Sequence, residues 1–363
     1  MTGEANSPLR RLLGSPLVPF SWGYGTGQRL RASLYAKGTL KSQKLPCKVI
    51  SVGNLVSGGT GKTPMVEMLA TMLRNKGVKV AVLSRGYGGK AHHPVTLVSD
   101  EKSVLLGPLE VGDEPYLLAQ KLKGVPVLIG PNRYQVGFHA WKMFGIEVAL
   151  LDDGYQHLLL ARDLDILLLD AARPFGNRWV LPRGLLREPL KALGRAHAIV
   201  ITRCQQLPHP TLYEEHARWG KKTPIFQSRH RADCLVKVDS EGKEKDLSFL
   251  QGKRIAAFCG LAQPNSFRDL IAQLGGKVVD FQSFRDHQRY GKRKLQQIVN
   301  LFRSSEAEMI LTTEKDEVKL PGELFPPELP LWSLRIRLEL KEGKKDFEQL
   351  IFSAVSDRSN GPD

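Results

Sequence analysis

The residues whose types and order most clearly do chemistry are the run Ser57-Gly58-Gly59-Thr60-Gly61-Lys62-Thr63. Glycines let successive backbone N–H groups turn inward around an anion. A lysine directly after them reaches the β- and γ-phosphates of a nucleotide, and the next hydroxyl can hold Mg²⁺. The loop departs from the commonest spacing, because Val56 stands where a first glycine is usual. It is a loop of the GGxGKT kind, and Val56, Ser57, Gly58, Gly59, Thr60, Gly61, Lys62 and Thr63 are the nucleotide-binding candidates. Such a loop holds phosphates without saying what becomes of them, so binding, hydrolysis and transfer all stay open.

Acidic groups come next, because Mg²⁺ needs oxygen ligands and an attacking hydroxyl needs a base. Asp152-Asp153 directly follow the apolar run Val148–Leu151, the arrangement in which a strand-terminal carboxylate holds Mg²⁺. Gly154 after them also permits a plain Asp-Gly turn. Gly112-Asp113-Glu114-Pro115 reads equally as a helix cap or as a catalytic acid pair. Asp170, after Ile166–Leu169, has the same ambiguity. Two polar clusters add to these: Phe284-Arg285-Asp286-His287-Gln288-Arg289-Tyr290, and Pro182-Arg183-Gly184-Leu185-Leu186-Arg187-Glu188-Pro189. Thr313-Glu314-Lys315-Asp316 looks like the guanine-reading Asn/Thr-Lys-x-Asp motif but lacks its spacer, which argues against a GTPase.

These groups need elements to position them. Short apolar runs at Lys48–Gly53, Val78–Ser84, Val125–Ile129, Val148–Leu151 and Ile166–Leu169 predict buried strands. Helical patterns at Met65–Arg74, Pro115–Lys123 and Arg133–Phe144 alternate with them, which predicts a parallel, doubly wound sheet. A second unit follows, with strands at Ala198–Thr202, Ile255–Cys259 and Met309–Thr312 and a helix at Ser266–Leu274. The Arg-, Pro- and Gly-rich stretch from Leu169 to Ala196 is expected to cross between the units. The expected fold class is α/β: a P-loop NTPase-like, doubly wound, mostly parallel sheet with a second, smaller α/β domain. The expected divisions are 1–40, 41–195 and 196–363.

Residues 1–40 have a character of their own. Arg10, Arg11, Arg29, Arg31 and Lys37 mix with Leu9, Leu12, Leu13, Leu17, Phe20, Trp22, Tyr24, Leu30, Leu34 and Tyr35. That mixture suits a segment lying in a headgroup layer, or a helix packed on the protein body. Across all 363 residues the formal net charge is +16, which favours anionic partners: phosphorylated substrates, lipid headgroups or nucleic acid. No aromatic-basic motif of a known nucleic-acid module accompanies the charge, so nucleic acid is not expected. No apolar run approaches the roughly 18 residues that cross a bilayer. Arg10, Arg11, Gly14, Pro16 and Pro19 interrupt any secretory-signal core, so a cytoplasmic protein is expected. Cys47, Cys204, Cys234 and Cys259 have neither disulfide nor metal spacing.

Taken in order, these segments resemble the tetraacyldisaccharide 4′-kinase family. The matching landmarks are SVGNLVSGGTGKTP from Ser51, LSRGYGG from Leu83, GDEP from Gly112 and LDDGYQH from Leu151. LLREPL from Leu185, FCGLAQPNSF from Phe258, FRDHQRY from Phe284 and LTTEKD from Leu311 continue the series. The resemblance implies ATP and Mg²⁺ as cofactors and, as partner, a lipid A disaccharide precursor that is phosphorylated on its 4′-hydroxyl. It also implies an N-terminal helix dipping into the cytoplasmic leaflet, and so peripheral contact with the bacterial inner membrane. Carried onto this chain, it implies Asp113 as catalytic aspartate with His287 beside it, and Lys62 on the transferring phosphoryl group. Thr63, Asp152, Asp153 and Glu188 are the metal candidates, and Arg85, Arg133 and Arg187 the candidates for substrate or nucleotide phosphates. The rival readings are a P-loop ATPase or GTPase of the metal-chaperone or targeting type and a nucleic-acid-binding ATPase. The residues leave oligomeric state open.

Overall fold

The computed structural model describes residues 15–90, 93–205, 207–220, 222–238, 242–261, 263–286, 288–320 and 329–356. Helix α1 (Val18–Ala36) opens the described chain. Strand β1 (Lys48–Asn54) and helix α2 (Lys62–Asn75) flank the glycine-rich loop. Then come β2 (Val80–Ser84), β3 (Thr96–Ser99), the short α3 (Pro108–Val111), α4 (Asp113–Lys121) and β4 (Val127–Ile129). Helix α5 (Arg133–Phe144), β5 (Val148–Asp152), β6 (Leu164–Asp170), β7 (Ala198–Thr202) and α6 (Thr211–Glu215) follow. The remainder runs β8 (Ile225–Lys237), β9 (Glu244–Lys245), β10 (Arg254–Cys259), α7 (Pro264–Gln273) and β11 (Lys277–Ser283). It closes with α8 (Lys292–Ser304), β12 (Met309–Thr313), α9 (Glu314–Glu317), β13 (Leu331–Leu340) and α10 (Lys344–Ser356).

Burial explains the layering. Every residue of β1 from Val49 onward is buried, as are all of β2, β5 and β7, with no wet face. Strands dry on both sides require cover on both sides, so helices pack against each face. On one face Met65, Val66, Leu69 and Leu73 of α2 meet Ile50, Val52, Val148 and Leu150. On the other, Val136 and Ala140 of α5 meet Val49, Ala149 and Leu151. The result is the α/β class expected from sequence, with a mostly parallel sheet.

That sheet is continuous, in the order β11-β10-β12-β13-β8-β7-β6-β1-β5-β2-β4-β3, with β9 on the side of β8. The joint is β8. Its first residues, Ile225–Gln227, pair in parallel with β7, and Ser228–Lys237 pair antiparallel with β13. Ala198–Thr202 was expected in the second unit, but it pairs in parallel with β6 along its whole length. The stretch expected to cross between units instead folds back over the glycine-rich loop. Ser57 N–H donates to Leu185 O at 2.7 Å, and Arg187 N–H to Leu55 O at 2.7 Å. The cause is apolar: Phe175, Leu186 and Leu193 are buried with Leu55 and Tyr155 in a core of their own.

Two helices tie the ends of the chain to this frame. Phe347 and Ile351 of α10 enter the core of the P-loop half, and Phe347 meets Phe226 of β8 edge-on at 5.0 Å between centroids. Helix α1 presents Phe20, Trp22 and Leu30 outward, at 68%, 69% and 60% exposure. Its inner line is small and polar: Ser21 Oγ donates to Val180 O at 3.0 Å, and Gly25 lies against Val180. Among the described residues no helix is long and apolar enough to cross a membrane.

Candidate active site

The loop after β1 is braced from inside and from behind. Asn54, the last residue of β1, donates from Nδ2 to Val56 O at 2.6 Å and to Gly58 O at 3.3 Å. Its Oδ1 accepts from Lys62 Nζ at 3.4 Å, which aims the lysine along the loop. Thr202 Oγ1, at the end of β7, donates to Thr60 O at 3.0 Å, and Arg203 donates to Gly59 O. With carbonyls engaged in this way, the loop N–H groups beyond that of Ser57 and the positive end of α2 are left for a ligand. Gly58 and Gly61 take φ of +126° and +84°, which a side chain would strain.

The carboxylates come from the strand beside it. β5 pairs with β1 so that Asp152 lies opposite Val52. Ser84 Oγ donates to Asp152 Oδ2 at 3.1 Å, whereas the buried Oδ1 has no protein partner. Burial first, then the nearby charges of Glu114 and Asp153, push the Asp152 carboxyl up to about 7 despite Lys62 and Ser84. Asp153, at φ +56°, lies 3.6 Å from Lys62 Nζ and 2.7 Å from Arg187 Nη1. Burial would raise it, but those two cations hold it below the usual carboxylate range.

An orphaned carboxylate oxygen on Asp152 and the Thr63 hydroxyl are the oxygen donors a hard cation takes, so this corner fits Mg²⁺. Among the described residues no group of three or more His, Cys, Asp or Glu forms a metal cage. Mg²⁺ is commonly held by one or two carboxylates, with phosphates and water completing its shell. Glu188 is paired with Arg195, which donates to both its oxygens, at 2.7 and 2.9 Å.

Cations surround the carboxylates. Arg187 donates twice to Asp153 through Nη1, at 2.9 and 2.7 Å. Arg133 opens α5, is buried, and donates to Gly130 O at 2.9 Å, while its Nε has no partner. Burial and the nearby Arg85 guanidinium lower it to about 10, against the pull of Asp152 and Asp153. His157 is lowered to about 4, first by burial and then by Arg133, Arg162, Arg31 and Arg85. Arg31 belongs to α1 and donates to Gln156 O at 3.3 Å, so the N-terminal helix feeds charge into this basin.

Asp113 begins α4. Gly112 before it has φ +93°, and a Cβ there would collide with Tyr87 O, so the loop Arg85–Gly89 and the start of α4 interlock. Asp113 and Glu114 share a crevice with Leu117, Asp286, Lys315, Val318 and Lys319. The polar turn after β11 therefore stands over Asp113, and Arg289 of that turn donates to Gly88 O at 3.3 Å. His287 lies outside the described residues.

A family model described as Tetraacyldisaccharide-1-P 4′-kinase matches residues 13–356. The chain belongs to that family. It is 44% identical over 351 residues to the tetraacyldisaccharide 4′-kinase of Syntrophus aciditrophicus, covering 94% of this chain and 93% of that one. With the tetraacyldisaccharide 4′-kinase of Pelobacter propionicus it shares 43% over 322 residues, 88% of this chain and 87% of the relative. Its fold matches the crystal structure described as the apo form of LpxK from Aquifex aeolicus in complex with ATP. The TM-score is 0.79 at 36% identity, covering 94% of this chain and 99% of the other.

Several residues of this kinase site were not singled out from sequence. Asn54 had a signal, a polar side chain ending an apolar strand just before the loop. Thr202, Arg203 and His230 had none, because they reach the loop only through the pairing of β6, β7 and β8. His230 Nε2 lies 3.0 Å from where a Cβ on Gly61 would stand, and it has no hydrogen-bond partner.

Proposed function

We propose that the chain transfers the γ-phosphate of ATP to the 4′-hydroxyl of a tetraacyldisaccharide 1-phosphate, working from the cytoplasmic face of the bacterial inner membrane. The observation that carries this reading is the braced loop with Lys62, Asp152 and Asp153 at its mouth, and Glu114, which shares the Asp113 crevice, close enough for its charge to act on Asp152. Lys62 offsets charge on the transferring phosphoryl group. Asp152 and Thr63 would hold Mg²⁺, which when bound would offset negative charge on the nucleotide phosphates. Asp113 accepts the proton of the attacking hydroxyl, and His287 orients it. Arg85, Arg133 and Arg187 hold phosphates of nucleotide or lipid. Glu188 supports the metal corner indirectly, by fixing Arg195 beneath Tyr155, whose ring it meets at 4.8 Å.

The same reading gives each stretch a task. Residues 1–40 hold the protein at the lipid surface, 41–195 carry the phosphate chemistry, and 196–363 present the polar turn to Asp113. By its pairing β7 serves the middle stretch as a brace for the loop.

The test is a thin-layer assay with γ-labelled ATP, Mg²⁺ and detergent-dispersed tetraacyldisaccharide 1-phosphate. Labelled lipid from the wild type, absent in Lys62→Ala, is the expected result. Free phosphate without labelled lipid would point to a P-loop ATPase instead.

A further inference from the structure

The motif Thr313-Glu314-Lys315-Asp316 enters the site so far only through Lys315, which lines the Asp113 crevice, yet α9 touches both sides of that crevice. Glu314 Oε2 accepts from Lys121 Nζ at 2.8 Å, and the same ammonium lies 2.6 Å from Glu67 Oε2 of α2. Lys315 Nζ lies 3.6 Å from Glu114 Oε1. Glu114 and Lys121 are about two turns apart on α4, with Leu117 between them on the face toward α9. Adjacent residues of α9 thus grip the helix that Asp113 begins near both its ends.

Asp316 does the corresponding work on the other side. It is fully buried and accepts from Gly260 N–H at 2.9 Å, Tyr290 OH at 2.9 Å and Thr313 Oγ1 at 2.7 Å, with Lys319 Nζ at 2.8 Å. Tyr290 packs edge-on against Phe284 at 5.3 Å and Phe258 at 5.7 Å. Phe284 and Tyr290 are the two ends of the polar turn, so Asp316 fixes where that turn is hung.

We propose that Thr313-Glu314-Lys315-Asp316 is a positioning segment for phosphotransfer, which sets the approach of Asp286 and Arg289 of the polar turn to Asp113. The inference rests on the functional reading above, in which Asp113 takes the proton of the acceptor hydroxyl. None of the segment's residues need touch the reacting atoms. Their effect arises because a four-residue helix bonded to both partners leaves little freedom in the gap between them. Misplacing a catalytic group by about 1 Å can cost on the order of 100-fold in rate.

The experiment uses the full chain in the labelled-lipid assay, with Glu314→Gln breaking the α4 side and Tyr290→Phe the turn side. Each is expected to lower kcat about 10- to 100-fold, with KM for ATP and the affinity for a fluorescent ATP analogue within about twofold. Lys121→Met removes the other half of the Glu314 bridge. Combined with Glu314→Gln it should do no worse than the poorer single variant, because both act on one contact. Should Lys121→Met not fold, the two milder variants carry the test. The proposal is overturned if kcat is unchanged in either of them, if ATP binding weakens in step with kcat, or if the losses in the double variant multiply. A wild type that makes no labelled lipid would instead remove the functional reading itself, and the two failures are told apart by that control.

Discussion

Charge is held at unusual values by single side chains around the loop, and the residue-scale expectations follow from them. If Asp113 is the base, Asp113→Ala loses about 10²- to 10⁴-fold in kcat while nucleotide affinity stays put. Unchanged turnover would take Asp113 out of that role. Gly112→Ala should be nearly as damaging for a different reason, since φ +93° and the collision with Tyr87 O both displace the start of α4. Its signature is a lower melting temperature together with lost activity. His230 gives a stability prediction. Burial first, then Arg203, lower it from 6.5 to about 4. A histidine depressed in the folded state contributes stability that is full above the unfolded value of 6.5 and lost as pH falls through 4. At about 1.4 kcal/mol per unit, the loss across that window is no more than about 3.5 kcal/mol. Denaturant melts of His230→Gln should show a flatter decline from pH 6.5 to 4 than the wild type, and equal slopes would contradict the assignment.

At the scale of elements, α1 has an unusual division of labour. Its outer face carries Phe20, Trp22 and Leu30, and its inner face is pinned by Ser21 and Gly25 to the segment that covers the P-loop. Tyr24 OH donates to Arg187 O at 3.0 Å, so the helix also abuts the arginine that holds Asp153. Replacing Phe20, Trp22 and Leu30 together by Ser should therefore weaken binding to anionic vesicles at least tenfold in a sedimentation assay. Stability should hold, because those side chains bury little in the protein. Vesicle binding equal to wild type would remove the outer face of α1 from the proposed membrane contact.

For the molecule as a whole, β8 and α10 are the parts that make two units into one frame. β8 pairs with β7 at one end and β13 at the other, and α10 returns from the end of the chain to bury Phe347 in the P-loop half. A ligand that binds only the folded frame stabilises all of it. Mg²⁺ with a non-hydrolysable ATP analogue at about 100 times its dissociation constant should contribute about 2.7 kcal/mol, seen as a rise of the single melting transition. Lys62→Ala should abolish that rise. Two separated transitions, with only one of them shifted, would show that the halves melt independently.

The chain alone was enough for the loop, Asp152-Asp153 at the end of an apolar strand and the bounds of α5 and β7, whereas α4, expected over Pro115–Lys123, runs from Asp113 to Lys121. All of these are local signals, in which glycine freedom, strand periodicity and helix-terminal acids act within a few residues. The same locality hid β8 and β13, whose residues alternate only loosely between buried and exposed and whose pairing joins distant stretches. It also hid the return of residues 170–196 over the loop, because proline and glycine there looked like a linker while Phe175, Leu186 and Leu193 were seeking a core. Likewise Lys121, Glu67 and Glu314 gave no sign of one another along the chain. An ammonium shared by three helices exists only once the sheet has brought them together, and that was decided by tertiary packing.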